Sequence, residues 1–589
     1  MSDTSLTPAL LIVLVAAKAI ALAGHDVPLT AWSAIAFFWQ DAAVVLVFAA
    51  LERATAKRAK TAVACVYVVL ALYVALNVPV TRVLSTPLTW SMLRAARGPL
   101  SDSILLYATW DNILLSLTIV ALATILPLMA PRLGSYLPAF GAPAILIAVT
   151  VLGPIAAQRV DTRGLDRNAW TALITTAMPR AIASAAGEWD ETGFEQAVDR
   201  QNAANALLSQ FRGAAAGRHV IVVSLESTAA QYLGLYGAHP DVMPNLTELA
   251  QHAIVFDHAY AVYPESIKGL FSILCSSYPA FDRAAESYAD VPCNAIPSAL
   301  GARGYHTALF HSGRFGYLGM DAIIRNRGFD VLVDAGDIGG RHDSSFGVDE
   351  PSTVARMLAW IDALPTSDRF FLTYLPIAGH HPYDTPEPGP FAVHADIDRY
   401  RNALHYGDAA LGALMNGIRA RELEKQTLWI VYGDHGEAFG QHDGNYGHTF
   451  QIFEENVHVP LVVALPGEAP GLIDHPMRSR QVVSLIDIAP TLLDLIGEPV
   501  HGAYQGRSML DGTPRMAFFF ADYSLGLLGL RDGRFKAIDE LESGRAKLFD
   551  LELDAEERRD LAGRDAARIA WYSRELRRWS AAQRRRVIN

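Results

Sequence analysis

Four apolar runs in this 589-residue chain end in residues that can do chemistry. "VIVVSLES" ends at Glu226, "TALFHSG" at His311 and Ser312, "RFFLTYLPIAGHHPY" runs into His380 and His381, and "TLWIVYGDHGE" closes on Asp434 and His435. One polar residue after a strand usually marks no more than the start of a solvated loop. Four strand ends delivering carboxylates and imidazoles to one rim of an α/β sheet read as a site, because ligands bind beyond the carboxyl ends of such strands. In the last stretch Gly433, Gly436 and Gly440 are read as letting the backbone turn sharply at that rim.

A fifth stretch, "YPESIKGLFSILCSSYP", supplies a nucleophile. Ile267, Leu270, Phe271 and Leu274 fall at helical spacing and predict a helix beginning near Ser266, whose N-terminus would favour a phosphate or sulfate group. A plain capping serine is the alternative. A serine hydroxyl is a poor nucleophile until its proton is withdrawn, and a divalent cation can do this. Glu226, Asp434 and His435 together with Ser266 form a four-ligand set for one or two zinc, manganese or magnesium ions, and ligand type does not choose among them.

The elements that must position these residues alternate between apolar runs and helical segments from His219 onward, the pattern of a largely parallel sheet covered on both faces. Upstream, charges are sparse as far as Gln158. Five apolar stretches there are long enough to cross a bilayer: Pro8 to Ala23, Leu29 to Leu51, Thr61 to Val80, Asn112 to Ala130 and Tyr136 to Ala157. A cleaved leader is the rival reading of the first, which contains Lys18 but lacks a basic region before it. Asp41 and Asp111 are costly in lipid and read either as substrate-path groups or as polar contacts between packed helices. Arg53, Lys57, Arg58 and Lys60 place the second loop in the cytoplasm, so an odd number of spans puts everything after Gln158 outside it. Arg82, Arg94 and Arg97 in the next loop pull the other way.

The expected division is 1–158 as a transmembrane domain of about five helices, 159–217 as a helical linker, 218–575 as the catalytic domain and 576–589 as a basic tail. The formal charge of −12, without a dense basic stripe, excludes a nucleic-acid partner. Cys275 and Cys293 could pair in an oxidising compartment, with free buried thiols as the alternative.

From about Arg218 to Ala562 the chain resembles the sulfatase-like branch of the alkaline phosphatase superfamily. The resemblance rests on "MPNLTELA", "DHGEAFGQHDGNYGHTFQIFEENVHVPLVV", "SLIDIAPTLLDLIG", "GRSML" and "RDGRFKAIDELESGRAKLFDLELDAEERRDLAG". It implies a multi-span α-helical membrane domain followed by an α/β domain with a central mixed sheet and a small C-terminal antiparallel sheet. It places Glu226, Ser266, Asp434 and His435 on the metal and nucleophile positions, and His380 and His448 on catalytic and substrate-binding ones. Lys268, His311, Arg314 and His381 join them as expected substrate contacts.

Sulfatases of this branch carry a nucleophile followed by Pro or Ala at the second position and Arg at the fourth, and convert it to formylglycine. Here Ile267, Lys268, Gly269 and Leu270 follow Ser266, so an unmodified serine is expected. The single Glu226 and the five upstream spans resemble lipoteichoic acid synthases and phosphoethanolamine transferases. The implied activity is transfer of a phosphoethanolamine- or phosphoglycerol-type head group from a phospholipid donor to a glycan or lipid acceptor of the envelope. The implied place is the bacterial inner membrane, with the catalytic domain periplasmic. The alternatives are a membrane-tethered sulfatase or phosphodiesterase, and an inactive scaffold or sensor.

Overall fold

The computed structural model describes residues 5–55, 59–95, 107–133, 141–178, 180, 189, 206–341, 346–467 and 476–588. Lys57, Arg58, Arg97, the start of the fifth apolar stretch and most of the second half of the expected linker lie outside the described residues.

All five apolar stretches form helices: Thr7–Leu22, Ser33–Ala54, Lys60–Leu84, Trp110–Leu133 and Gly141–Arg159. Ser33–Ala54, Lys60–Leu84 and Trp110–Met129 are long and apolar enough to cross a membrane; Thr7–Leu22 and the last are shorter. They share a core of Leu10, Val13, Val45, Phe48, Val74 and Ile119. Val47, Val68, Leu72 and Leu114 point outward and are exposed, as lipid-facing residues would be.

Lys18 meets Asp41 at 3.4 Å inside this bundle. Lys18 Nζ also donates to the carbonyls of Leu165 and Arg167 at 2.9 and 2.8 Å, and Asn168 Nδ2 donates to Asp41 at 2.6 Å. Of the two readings of Asp41, the structure therefore has the packed-helix contact: a charge buried in a low-dielectric interior is tolerated when paired and hydrogen-bonded. Asp111 sits exposed in the first turn of its helix, where the dipole favours an anion.

Among the described residues the main sheet has nine strands. They are β1 (His219–Leu225), β2 (Ala253–Tyr260), β3 (Tyr305–His311), β4 (Val331–Val333), β5 (Arg369–Leu375), β6 (Thr427–Gly433), β9 (His458–Val459), β10 (Leu461–Ala464) and β11 (Met477–Ser484). A separate small hairpin pairs β7 (Ala438–Phe439) with β8 (Tyr446–Gly447). The order is β11-β2-β10-β6-β1-β5-β3-β4, with β9 on β2. β6, β1, β5, β3 and β4 are mutually parallel, whereas β10 runs antiparallel to both its neighbours. The sheet is therefore mixed, and the four strand ends singled out in the sequence reach one rim.

Alternation along β1 shows how the sheet is covered. Val220 and Val222 face the layer containing helix Ser266–Cys275, while Ile221 and Val223 face the layer containing helix Asp396–Ala420. Side chains one residue apart on a strand point to opposite faces, so a continuous apolar run marks a strand buried on both.

A four-stranded antiparallel sheet follows, made of β12 (Met516–Ala521), β13 (Leu527–Asp532), β14 (Phe535–Glu540) and β15 (Ala546–Asp550). The helix Ala566–Ile588 packs on it, with Tyr572, Leu576 and Trp579 buried among Phe518, Phe520 and Leu530. This corrects the expected tail at 576–589. The run of arginines conceals an apolar stripe at helical spacing, and the helix passes through the proposed boundary.

The helical bundle and the catalytic domain meet through loops at one end of the helices. Asp443, in the loop between β7 and β8, is held by His25 Nδ1 at 3.2 Å, by the amide of Asp26 at 3.0 Å and by Arg163 Nη1 at 2.7 Å. Thr89 Oγ1 donates to the Tyr523 carbonyl at 2.8 Å, and Arg167 Nη1 donates to Ser524 Oγ at 2.9 Å. Arg94 pairs with Glu286 at 3.0 Å, so this arginine of the third loop answers a carboxylate of the catalytic domain. At the opposite end, Ser5 and the amide of Leu6 bind Glu52, each at 2.6 Å.

Candidate active site

The rim is built by backbone that leaves no room for larger side chains. A Cβ on Gly433 would come within 2.1 Å of the Thr228 carbonyl, and one on Gly436 within 2.1 Å of the Glu455 carbonyl. Of the three glycines read as turn formers, only Gly440 has a left-handed φ, +84°. The other two are needed for close approach.

Ser266 is the first residue of helix Ser266–Cys275, and Glu265 is its cap, accepting from the amides of Ile267 and Lys268. The capping-serine alternative is thereby set aside. So is the expectation that the free amides of this terminus wait for an anion, since two of them are already taken by Glu265. Released from capping, Ser266 Oγ donates to Glu226 Oε2 at 2.9 Å and lies 3.3 Å from His435 Nε2.

Glu226, Asp434 and His435 offer ligand atoms within 4.8 Å of one another, and all three are buried. His435 Nε2 is 3.5 Å from Glu226 and 3.6 Å from Asp434. His435 Nδ1 faces the Gly436 carbonyl at 3.0 Å and donates to it, which turns Nε2 toward the carboxylates. Asp434 is oriented by the amides of Ser227 and His435, at 2.9 and 2.7 Å. Burial, then repulsion from Glu226, pushes the Asp434 carboxyl up. Burial opposes the charged form of His435 too, but Asp434 and Glu226 outweigh it and pull the imidazole up to about 10. Two carboxylates and an inward-facing imidazole nitrogen, gathered in a buried spot, are the donor set of a divalent cation, and the residues fit one.

The remaining histidines line the same cavity of about 690 Å³. His448 Nδ1 lies 2.7 Å from Glu437 Oε2, and Tyr383 donates to Glu437 Oε1 at 2.5 Å. His435, Glu437 and His448 form a second close group, but its imidazole and carboxylate already satisfy each other. His380 Nδ1 contacts the His381 carbonyl at 2.6 Å, and its ring packs 4.5 Å from Phe346 and 6.1 Å from His448. Burial holds His380 and His311 below the usual imidazole value and brings His381 down to about 4. His381 stacks on Tyr107, contributed by the helical bundle, at 5.7 Å. Arg314 also lines the cavity.

Lys268 does not. Its ammonium is buried against Asp522 at 2.8 Å and over the Tyr263 ring at 4.5 Å, so it fastens helix Ser266–Cys275 to the loop after β12 instead of facing the cavity. Cys275, at the far end of that helix, is joined to Cys293. Two further histidines, His442 and His458, are engaged with Glu455 and with Glu454 and the Asp257 carbonyl. Glu437 and Tyr383 were missed. Glu437 stands two residues after His435, and an acid so close to a metal-type motif was the available signal; Tyr383 closes the stretch "GHHPY", which marks its place but not its link to Glu437.

Residues 218–498 match the Sulfatase family model, and this α/β part of the chain follows its apolar helices. A crystal structure of a protein in the alkaline phosphatase superfamily from Vibrio parahaemolyticus shares the fold, with a TM-score of 0.52 at 21% identity over 64% of this chain and 90% of that one. The lipoteichoic acid synthase LtaP from Listeria monocytogenes does so with a TM-score of 0.50 at 18% identity, over 68% and 99%. In sequence the chain is similar to the lipoteichoic acid synthase-like YvgJ of Bacillus subtilis, 23% identical over 51% of each protein. The chain thus aligns with about half the length of this curated relative.

Proposed function

We propose that this protein is a metal-dependent, membrane-anchored transferase that moves a phospho-head group, of phosphoethanolamine or phosphoglycerol type, from a phospholipid to an acceptor of the cell envelope through a covalent Ser266 intermediate. The observation that carries the reading is that Ser266 opens into a cavity walled on its other side by the apolar helices. Similarity to lipoteichoic acid synthases supports it.

Glu226, Asp434 and His435 would hold the divalent ion beside Ser266, and the ion would supply positive charge that favours an ionised serine oxygen and a more electrophilic phosphorus. Ser266 Oγ forms a bond to phosphorus as the bond from phosphorus to the diacylglycerol oxygen breaks. The serine proton is lost to solvent as its oxygen ionises, with Glu226 remaining a ligand. His448, backed by Glu437, donates a proton to the departing oxygen, Arg314 balances the charge on the non-bridging oxygens, and His380 packs beside them as a polar wall of the cavity. An acceptor hydroxyl then attacks the phospho-serine, its proton returning to His448, and Ser266 recovers its own. The arrangement of loops is consistent with a periplasmic catalytic domain in the bacterial inner membrane, since the end bearing Arg53 and Lys60 lies opposite the end that contacts it.

Mass spectrometry of the peptide containing Ser266, after exposure of the enzyme to phosphatidylethanolamine and phosphatidylglycerol vesicles, tests the reading. A phosphoethanolamine or phosphoglycerol adduct is expected. An unmodified peptide, together with release of sulfate from aryl sulfates, would instead support the second reading, a tethered sulfuric or phosphoric ester hydrolase, which the family match favours.

A further inference from the structure

The cavity has two unlike ends. Around Ser266 it is polar; beyond Tyr107 its walls come from two membrane-type helices. Leu76, Val80 and Leu84 recur at four-residue steps on helix Lys60–Leu84, and Ile113 and Leu117 do so on helix Trp110–Leu133, so each helix turns one apolar stripe to the cavity. Eight residues of helix between Leu76 and Leu84 give this arm a length of roughly 12 Å. Leu76, Ile113 and Leu117 line the arm and are also 55%, 38% and 55% exposed, which marks its open side as the surface the bundle presents to lipid.

On the reading given above, we propose that this arm is a hydrocarbon slot: an acyl chain of the donor enters sideways from the bilayer between helices Lys60–Leu84 and Trp110–Leu133 and lies along them, placing its phosphodiester at Ser266. The occupant follows from the match of chemistry to place. The arm offers apolar side chains where it opens to lipid and continues into the polar centre around Ser266 and Arg314, so it suits an amphiphile with its head group inward. Leu76, Val80, Ile113 and Leu117 become specificity residues that act on the donor and not on the acceptor.

The full-length enzyme in nanodiscs would be given phosphatidylglycerol and phosphatidylethanolamine with dibutyryl, dihexanoyl or dioctanoyl chains, and release of the diacylglycerol measured. The slot predicts that kcat/KM rises at least about tenfold from the dibutyryl to the dioctanoyl donor, as methylenes leave water. It also predicts that Leu117→Trp and Val80→Trp, each checked for an unchanged melting temperature, cut that rise to less than about threefold by filling the arm. A variant that melts early is replaced by the other, and the wild-type series stands without either. Turnover that does not depend on chain length, or a rise that both tryptophans leave intact, overturns the slot alone. Failure to release any diacylglycerol overturns the lipid-donor reading and the slot with it.

Discussion

Replacing Glu437 by glutamine tests whether His448 is an oriented proton donor or only a neighbour of the metal-type centre. Glu437 is fully buried, with one carboxylate oxygen 2.7 Å from His448 Nδ1 and the other 2.5 Å from the Tyr383 hydroxyl. Glutamine keeps the size and an acceptor oxygen but loses the charge. A hydrogen bond to a charged group contributes about 1.5–3 kcal/mol and a neutral one about 0.5–1.5 kcal/mol. The difference along the His448 contact, about 1–1.5 kcal/mol, corresponds to a loss of roughly tenfold in kcat/KM. The assay is steady-state release by the full-length enzyme of diacylglycerol, an alkoxide leaving group that needs a proton, from a phospholipid donor, comparing Glu437→Gln, His448→Asn and the double variant. If Glu437 acts through His448, the double variant is no slower than His448→Asn alone, because the two residues work as one unit. A Glu437→Gln enzyme within twofold of wild type, or losses that simply multiply, would refute the assignment.

Ser266→Ala is expected to remove turnover altogether while leaving the melting temperature near that of wild type, and measurable turnover in that variant would take the nucleophile out of the scheme. Chelation should silence the enzyme and added zinc, manganese or magnesium restore it; full activity in metal-free protein, verified by elemental analysis, would remove the cation. Glu350 is buried, and burial raises its carboxyl from an ordinary 4.5 to about 7 even though Tyr374, Ser312 and the Ile377 amide donate to it. The folded state therefore binds this proton more tightly than the unfolded one, and the stability it contributes is present below pH ~4.5 and lost as pH rises through about 7. Glu350→Gln should abolish that part of the decline in melting temperature between pH 5 and 8. Replacing Cys275 and Cys293 together by alanine opens a link between residues 18 apart in sequence, which should cost about 3 kcal/mol and show as earlier thermal unfolding without reductant.

The parts of this site that could be read in the sequence are those where a single chemistry leaves a local trace. The strand ends were visible because β1, β3, β5 and β6 are buried on both faces, so each appears as a largely apolar run, and those of β1, β3 and β6 give way to Glu226, His311 and Asp434. Ser266 was visible through the helical spacing behind it. What misled was anything decided by a partner distant in sequence. Lys268 looks like a substrate cation until Asp522, from the loop after β12, claims it. The tail looks solvated until Phe518 and Phe520 supply a surface for Trp579. Asp41 could not be assigned from its own span, because its partners Lys18 and Asn168 come from two other segments. Tyr383 carries no local mark of its link to Glu437, formed across more than fifty residues.

The hold that the helical bundle has on Asp443 bears on what a proteolytic cut would do to the enzyme. His25, Asp26 and Arg163 grip the loop joining β7 to β8, the hairpin that precedes His448, and Tyr107 stacks on His381. A catalytic domain cut free of its helices would keep Glu226, Ser266, Asp434 and His435 on their strands and helix, yet it would lose one wall of its cavity and the clasp on that loop. On the proposed reading the severed domain would become a different catalyst: still able to take small water-soluble esters, but without the apolar wall proposed to hold a lipid chain. Cleavage between bundle and domain would thus alter which molecules the enzyme attacks before it altered whether the enzyme could attack at all.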